Sequence, residues 1–230
     1  MLRNLAVVFA AILFATSVLA TSIFRSTTPL YVFSQSSGLV QGSATQGVFV
    51  SGVDYYLPYP GILPDHFIWP VKVLRDKLWL FVTRDPMRKA QLLLLFADKR
   101  VGMARELIKG GRPALGVATA EKGGLYLVQA FETQLEATQD GADTGEFLEK
   151  LAKASLKHRE ELENMMLLAP EDAKPALVKV IDFSKTVYEK SSHSLNQKGR
   201  SIPVPRASPE SQDEGGLVAP SPLPFNPKTN

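Results

Sequence analysis

The chain has 230 residues, of which 45% are hydrophobic and 21% charged, and its formal net charge is +3. This length suits one domain with tails, and the absence of cysteine excludes disulfides, thiolate metal sites and cysteine nucleophiles. The charge is uneven, because residues 69–112 hold 11 Lys and Arg against 4 Asp and Glu, whereas residues 113–195 hold 9 against 14. We expect the two halves to neutralise each other within the fold, and the alternative is a basic face for an anionic surface.

Residues 1–24 have the pattern of a targeting segment or membrane anchor. Arg3 precedes an apolar run from Leu5 to Ala20, and Val18-Leu19-Ala20 suits a signal peptidase. The apolar character continues to Phe24, which is about long enough to span a bilayer. Cleavage after Ala20 and an uncleaved anchor both remain open, and both predict an extracytoplasmic location. A buried helix of a cytosolic protein is the third alternative.

Residues 25–54 are rich in Ser, Gly, Gln and Thr, which predicts a flexible linker. Residues 196–230 hold many prolines with Ser and Gly, which predicts a disordered tail. The folded domain is therefore expected over residues 55–195.

A segment rich in proline and aromatic residues opens this domain, and we call residues 55–69 the strap. Its prolines fix φ and remove backbone donors, so the segment cannot form a central strand or a long helix. Its aromatic residues are Tyr55, Tyr56, Tyr59, Phe67 and Trp69. We expect these rings to pack across a helical bundle.

Apolar residues at alternating spacings of three and four predict five helices after the strap. The expected ranges are about 70–82, 86–109, 113–139, 143–168 and 171–196. The first helix has an apolar stripe formed by Val71, Leu74, Leu78 and Phe81. The second begins with an Asp85 cap and should be the most buried, while Gly123-Gly124 in the third marks a bend or a close helix crossing. The predicted fold is all-α, an antiparallel bundle with coiled-coil-like seams.

Three stretches carry a family resemblance. LPYPGILPD (57–65) and RDPMRKAQLLLLFADKR (84–100) are the most specific, and a weaker similarity continues through residues 157–190. Over residues 55–194 the chain resembles a bacterial family of secreted or membrane-anchored proteins, catalogued only as a domain of unknown function. The resemblance implies a helical fold and an exported location, and it implies no activity.

The sequence offers little catalytic chemistry. The histidines are His66, His158 and His193, and HREEL at residues 158–162 lacks the second histidine of HExxH. We expect no metal or other cofactor, and we interpret His158 as a partly buried, hydrogen-bonded residue. Asp76, Asp85 and Asp98 lie among basic residues, and each is expected to be a cap or a surface ion pair.

These features favour an exported, membrane-tethered and non-catalytic interaction module of the bacterial envelope. Its partner would be another envelope protein or a surface component, and no nucleic acid. The candidate interaction residues are Tyr55, Tyr56, Tyr59, Phe67, Trp69, Lys72, Arg75, Arg84 and Arg88. The Met165-Met166 end of the fourth helix is a second candidate surface. The alternative function is a ligand- or metal-sensing bundle with a pocket near the glycine bend.

Overall fold

The computed structural model describes residues 52–204, which form five α-helices and one 3-10 helix and contain no strand. The helices are α1 (Trp69–Val82), α2 (Pro86–Lys109), α3 (Pro113–Gln139), α4 (Gly145–Leu168) and α5 (Lys174–Gln197), and the 3-10 helix is Glu171–Ala173. This confirms the all-α prediction. The predicted targeting segment, nearly all of the linker and most of the tail lie outside the described residues. None of the helices described is long and apolar enough to cross a bilayer.

The four long helices form the bundle. Helices α2 and α3 make one hairpin, α4 and α5 make a second, and contacts of α3 with α5 and of α2 with α4 join the two. The connections are short, so consecutive helices run antiparallel. Gly111 ends α2 with φ of +72°, and the amide of Arg112 then donates to the carbonyl of Leu107.

Helix α2 is the most buried element, as its sequence predicts. Asp85 caps it, because its carboxylate accepts a hydrogen bond from the Met87 amide at 3.1 Å, and Pro86 takes the first helical position. The predicted seam residues that are buried are Ala90, Leu94, Ala97, Val101, Ala104 and Ile108. This seam explains why α2 contacts helices of both hairpins.

The paired glycines of α3 mark a close crossing of three helices. A Cβ atom at Gly123 would lie 3.1 Å from Cβ of Arg100 on α2. A Cβ at Gly124 would lie 2.7 Å from Cδ2 of Phe183 on α5. Side chains at these positions would push α3 away from its neighbours, so the glycines permit the spacing of the bundle.

Helix α1 packs on the bundle through the side opposite its predicted apolar stripe. Trp69 and Val73 are buried, with Met103 of α2 and the partly buried Leu63 beside them. The predicted stripe faces solvent instead. The buried side is decided by Trp69, a large side chain that lies one residue before the expected start of the helix.

The chain after α5 stays on the bundle for several residues. The guanidinium of Arg200 lies 3.3 Å from Glu149 and 3.5 Å from Asp143, and the hydroxyl of Tyr188 donates to the carbonyl of Pro203 at 2.7 Å. Contacts of the compact domain therefore extend beyond residue 195.

Candidate interaction surface

The side of α1 opposite Trp69 is an exposed apolar face. It is formed by Val71, Leu74, Leu78, Phe81 and Val82, and we call it the α1 face. Phe81 is 85% exposed and even the least accessible member, Leu74, is 41% exposed. At 100° per residue these five side chains fall within about 100° of one another. A contiguous, solvent-exposed apolar face is typical of an interaction site.

A groove borders this face where α1 turns into α2. Its volume is about 550 Å³. Its walls include Trp79, Val82, Thr83, Arg84, Arg88, Leu92 and Leu95. The groove thus combines apolar side chains with two of the predicted interaction residues, Arg84 and Arg88, and it extends the α1 face towards α2.

Two of the cations around the α1 face have carboxylate partners nearby in the sequence. Arg75 lies 2.7 Å from the neighbouring Asp76, and Arg88 lies 3.5 Å from Asp85. These are exposed, short-range pairs, which contribute little stability. The expected neutralisation by the acidic later helices is seen elsewhere, where Arg105 of α2 lies 3.1 Å from Glu161 of α4.

The strap is held in place through its backbone carbonyls, whereas three of its aromatic rings are exposed. Tyr56, Tyr59 and Phe67 are 90%, 83% and 84% exposed. The expectation that the rings pack across the bundle is therefore wrong for these three. Lys72 holds the strap instead, because its Nζ donates to the carbonyls of Pro60 and Ile62. Prolines keep the segment extended without help from the rings.

Trp69 is buried and not part of an interaction surface, because only 3% of it is exposed, so its predicted role there is wrong. The guanidinium carbon of Arg100 lies 4.5 Å from its ring centroid, and Nζ of Lys72 lies 5.0 Å from it. Cations over the face of an indole are attracted by its quadrupole. The pKa of Lys72 is lowered to about 8, chiefly by burial, with Asp76 opposing the change and the positive charge of Arg100 adding to it.

A buried polar triad joins the start of the strap to two helices. The Tyr55 hydroxyl donates to Oδ2 of Asp98 at 2.6 Å, and Nε2 of His158 lies 2.7 Å from Oδ1 of the same carboxylate. Asp98 and His158 are almost inaccessible, with side-chain exposures of 5% and 1%. Asp98 is therefore neither a cap nor a surface ion pair, whereas Asp85 and Asp76 have those expected roles.

The triad has the donors and acceptors of a structural cluster. A carboxylate accepts from both neighbours, which assigns the proton of His158 to Nε2. Its Nδ1 has no hydrogen-bond partner, and an unpaired lone pair there costs less than an unpaired N–H donor would. The other histidines lie apart, with His66 stacked on Phe67 and His193 bonded to Gln197.

The comparison with protein families agrees with the sequence motifs. Residues 61–172 match the family described as Domain of unknown function (DUF5667). This confirms the resemblance inferred from the sequence, and the matched segment runs from the middle of the strap to the 3-10 helix before α5. Comparisons with curated proteins and with solved structures find no match. The α1 face and the cluster around Asp98 belong to the matched segment, apart from Tyr55.

Sequence reasoning missed two features of the site. It identified the α1 stripe without predicting that the stripe faces solvent, although Arg75 beside it and the basic residues after it are typical of an exposed amphipathic helix. It also missed the partnership of Tyr55 with Asp98, because these residues are 43 positions apart and no local pattern connects them.

Proposed function

We propose that this protein is a non-catalytic interaction module of the bacterial envelope, tethered to the membrane by residues 1–24, which binds the anionic membrane surface through the α1 face. The observation that carries the proposal is the orientation of α1. Its apolar stripe faces away from the core, while Trp69, Val73 and the partly buried Leu80 pack against the bundle.

The surroundings of the α1 face suit an anionic lipid surface better than a neutral one. Lys77, Arg84, Arg88 and Lys89 lie on α1 or at its junction with α2. An amphipathic helix with basic flanks lies in the membrane interface, with its apolar side among the acyl chains and its cations at the headgroups. The tether would keep the bundle close to that surface and raise its effective concentration there.

The magnitudes support reversible binding. Full burial of a Val, Leu or Phe side chain contributes about 1.5–3 kcal/mol, and each basic residue near an anionic surface contributes about 1 kcal/mol. Partial burial of the five apolar side chains, together with the attraction of two or three cations to the surface, would therefore contribute more binding free energy than the roughly 4 kcal/mol that corresponds to millimolar affinity.

Vesicle co-sedimentation tests the membrane contact. The protein beginning at Thr21, the predicted cleaved form, would be mixed with phosphatidylcholine vesicles that contain or lack phosphatidylglycerol. We expect it to bind the anionic vesicles only, and to bind them less at physiological than at low salt, because salt screens exposed charges. Equal sedimentation with both vesicle types would contradict the proposal.

Two double variants locate the contact. Leu78→Ser with Phe81→Ser should abolish binding without unfolding the bundle, since both side chains are exposed. The matched control is Leu167→Ser with Leu168→Ser, which changes two exposed leucines at the end of α4, next to Met165-Met166, where Met165 is fully buried and Met166 partly buried. Loss of binding in the control alone would move the contact to that end. A concentration-dependent dimer that only the α1 variant dissolves would assign the α1 face to a second copy instead.

Export is tested separately. N-terminal sequencing of the cellular protein should begin at Thr21, or the intact chain should fractionate with membranes. Full-length protein in the soluble cytoplasmic fraction would refute the envelope assignment.

A further inference from the structure

A second cavity lies on the inner side of α1, between that helix and α3. Its volume is about 210 Å³. One cation from each of three helices lines it, namely Lys77 of α1, Arg100 of α2 and Lys122 of α3. Trp69 and Tyr126 supply aromatic walls. Three helices thus bring three positive groups to one pocket, near the glycine crossing at Gly123.

Arg100 is the most constrained of these cations. It is only 8% exposed, and one face of its guanidinium is stacked on Trp69. Burial lowers its pKa, while the Tyr126 hydroxyl and the more distant Asp76 oppose that change. Within residues 52–204 it forms no ion pair with a carboxylate. A buried guanidinium ordinarily has an anionic partner, because removing its charge from water is costly.

The neighbouring lysines add to the positive potential. Burial lowers the pKa of Lys122, and the charges of Arg100 and Lys77 lower it further, with Glu121 acting in the opposite direction. Lys77 is exposed at the rim. Like charges that face one cavity destabilise each other unless an anion enters between them.

We propose that this cavity binds a phosphate group, carried either by a small soluble phosphate monoester or by a lipid headgroup. A doubly charged phosphate matches several cations, and the Arg100 guanidinium, which also has a hydrogen bond with the Tyr126 hydroxyl, can donate further N–H groups to its oxygens. Trp69 and Tyr126 would contact the carbon skeleton of the ligand. The cavity shares Lys77, at its rim, with the surroundings of the α1 face, but its other α1 residues, Trp69 and Val73, lie on the opposite side of the helix from that face.

Calorimetry and fluorescence test the site on the full chain in detergent. The chain has two tryptophans, so Trp79→Phe leaves Trp69, in the cavity wall, as the reporter. The probes are inorganic phosphate, glycerol 3-phosphate and phosphatidic acid, with acetate and chloride at matched ionic strength as controls. We expect saturable heat and a change in Trp69 emission with phosphate compounds only. A response to phosphatidic acid alone would assign the phosphate to lipid, and a response to the soluble compounds would assign it to a free ligand.

Variants separate specific binding from general charge effects. Lys122→Gln should weaken phosphate binding about tenfold, because one charge-assisted hydrogen bond is lost. Lys153→Gln, which removes an equal charge from the exposed side of α4, should leave it unchanged. The double variant Leu78→Ser and Phe81→Ser should keep phosphate binding even if it loses vesicle binding, so the two proposals fail independently. The proposal would be overturned if none of the phosphate compounds bound saturably, or if the two lysine variants bound phosphate with equal affinity.

Discussion

Replacing Tyr55 by Phe removes a single oxygen from the triad that attaches the strap to the core. That hydroxyl donates to Oδ2 of Asp98 at 2.6 Å, so the carboxylate would retain His158 as its partner. A hydrogen bond to a charged group contributes about 1.5–3 kcal/mol. Tyr55 is only partly buried and water can replace some of the loss, so we expect the lower half of that range. For a domain of this size the melting temperature should fall by about 3–8 °C.

Tyr56→Phe is a matched control, because the adjacent tyrosine is 90% exposed and the chemical change is identical. Urea unfolding followed by circular dichroism would give the free energy of unfolding of both variants and of the unchanged protein. We expect a clear loss for Tyr55→Phe and a change within about 0.5 kcal/mol for the control. Equal stabilities of the two variants would refute the role assigned to the triad.

The same pair of variants differs in its titration. Burial, the charge of Asp98 and the hydrogen bond to it raise the pKa of Tyr55 above its ordinary value of 10.0. Above pH 10.0 the unfolded chain loses this proton while the folded chain keeps it, so the contribution of Tyr55 to stability falls as pH rises. Ultraviolet titration of the folded protein near pH 10 should give the same tyrosinate absorbance for Tyr55→Phe as for the unchanged protein, because Tyr55 keeps its proton there. A smaller absorbance for Tyr55→Phe would contradict the structure.

Three further predictions test other parts of the domain. Trp69→Ala should lower the free energy of unfolding by about 3–5 kcal/mol, and an unchanged urea midpoint would show that the ring is not part of the core. Gly124→Ala should destabilise the bundle by about 1–3 kcal/mol. Gly102→Ala should be neutral or stabilise the protein by up to about 1 kcal/mol, because the added Cβ would make an ordinary contact of 3.5 Å with Cβ of Pro60. Equal melting temperatures of the two variants would contradict the close crossing at Gly124. Lys72 should titrate at about pH 8 when followed by NMR. Between pH 8 and 10.5 the unfolded chain binds more protons than the folded one, so the free energy of unfolding should rise with pH. A titration midpoint near 10.5 would refute the burial of Lys72.

Local sequence patterns were sufficient for the helices of the bundle. Asp85 with Pro86 and the regular spacing from Ala90 to Ile108 act within a few residues, so they predict both the start of α2 and its buried side. Gly123-Gly124 predicted a close crossing for the same reason, since a missing side chain matters only where another chain approaches.

The orientation of α1 and the triad could not be predicted in that way. The period of α1 correctly predicts a helix with an apolar side, but a period does not say whether that side meets the bundle or an external surface. The contact of Tyr55 with Asp98 depends on the path of the strap across the bundle. Asp98 looked like a surface residue because its neighbours in sequence are basic, although in space its neighbours are a tyrosine and a histidine.

The attachment at Tyr55 also has a mechanical consequence. A pull on the N-terminal chain, as from a membrane tether under load, reaches the bundle at Tyr55 before it reaches the rest of the strap or α1. Its hydroxyl is bonded to Asp98 on α2 and, through that carboxylate, to His158 on α4, one helix from each hairpin. The two helical hairpins would therefore share the tension. Helix α1, which has few contacts with the other helices, would carry no load and would keep its position.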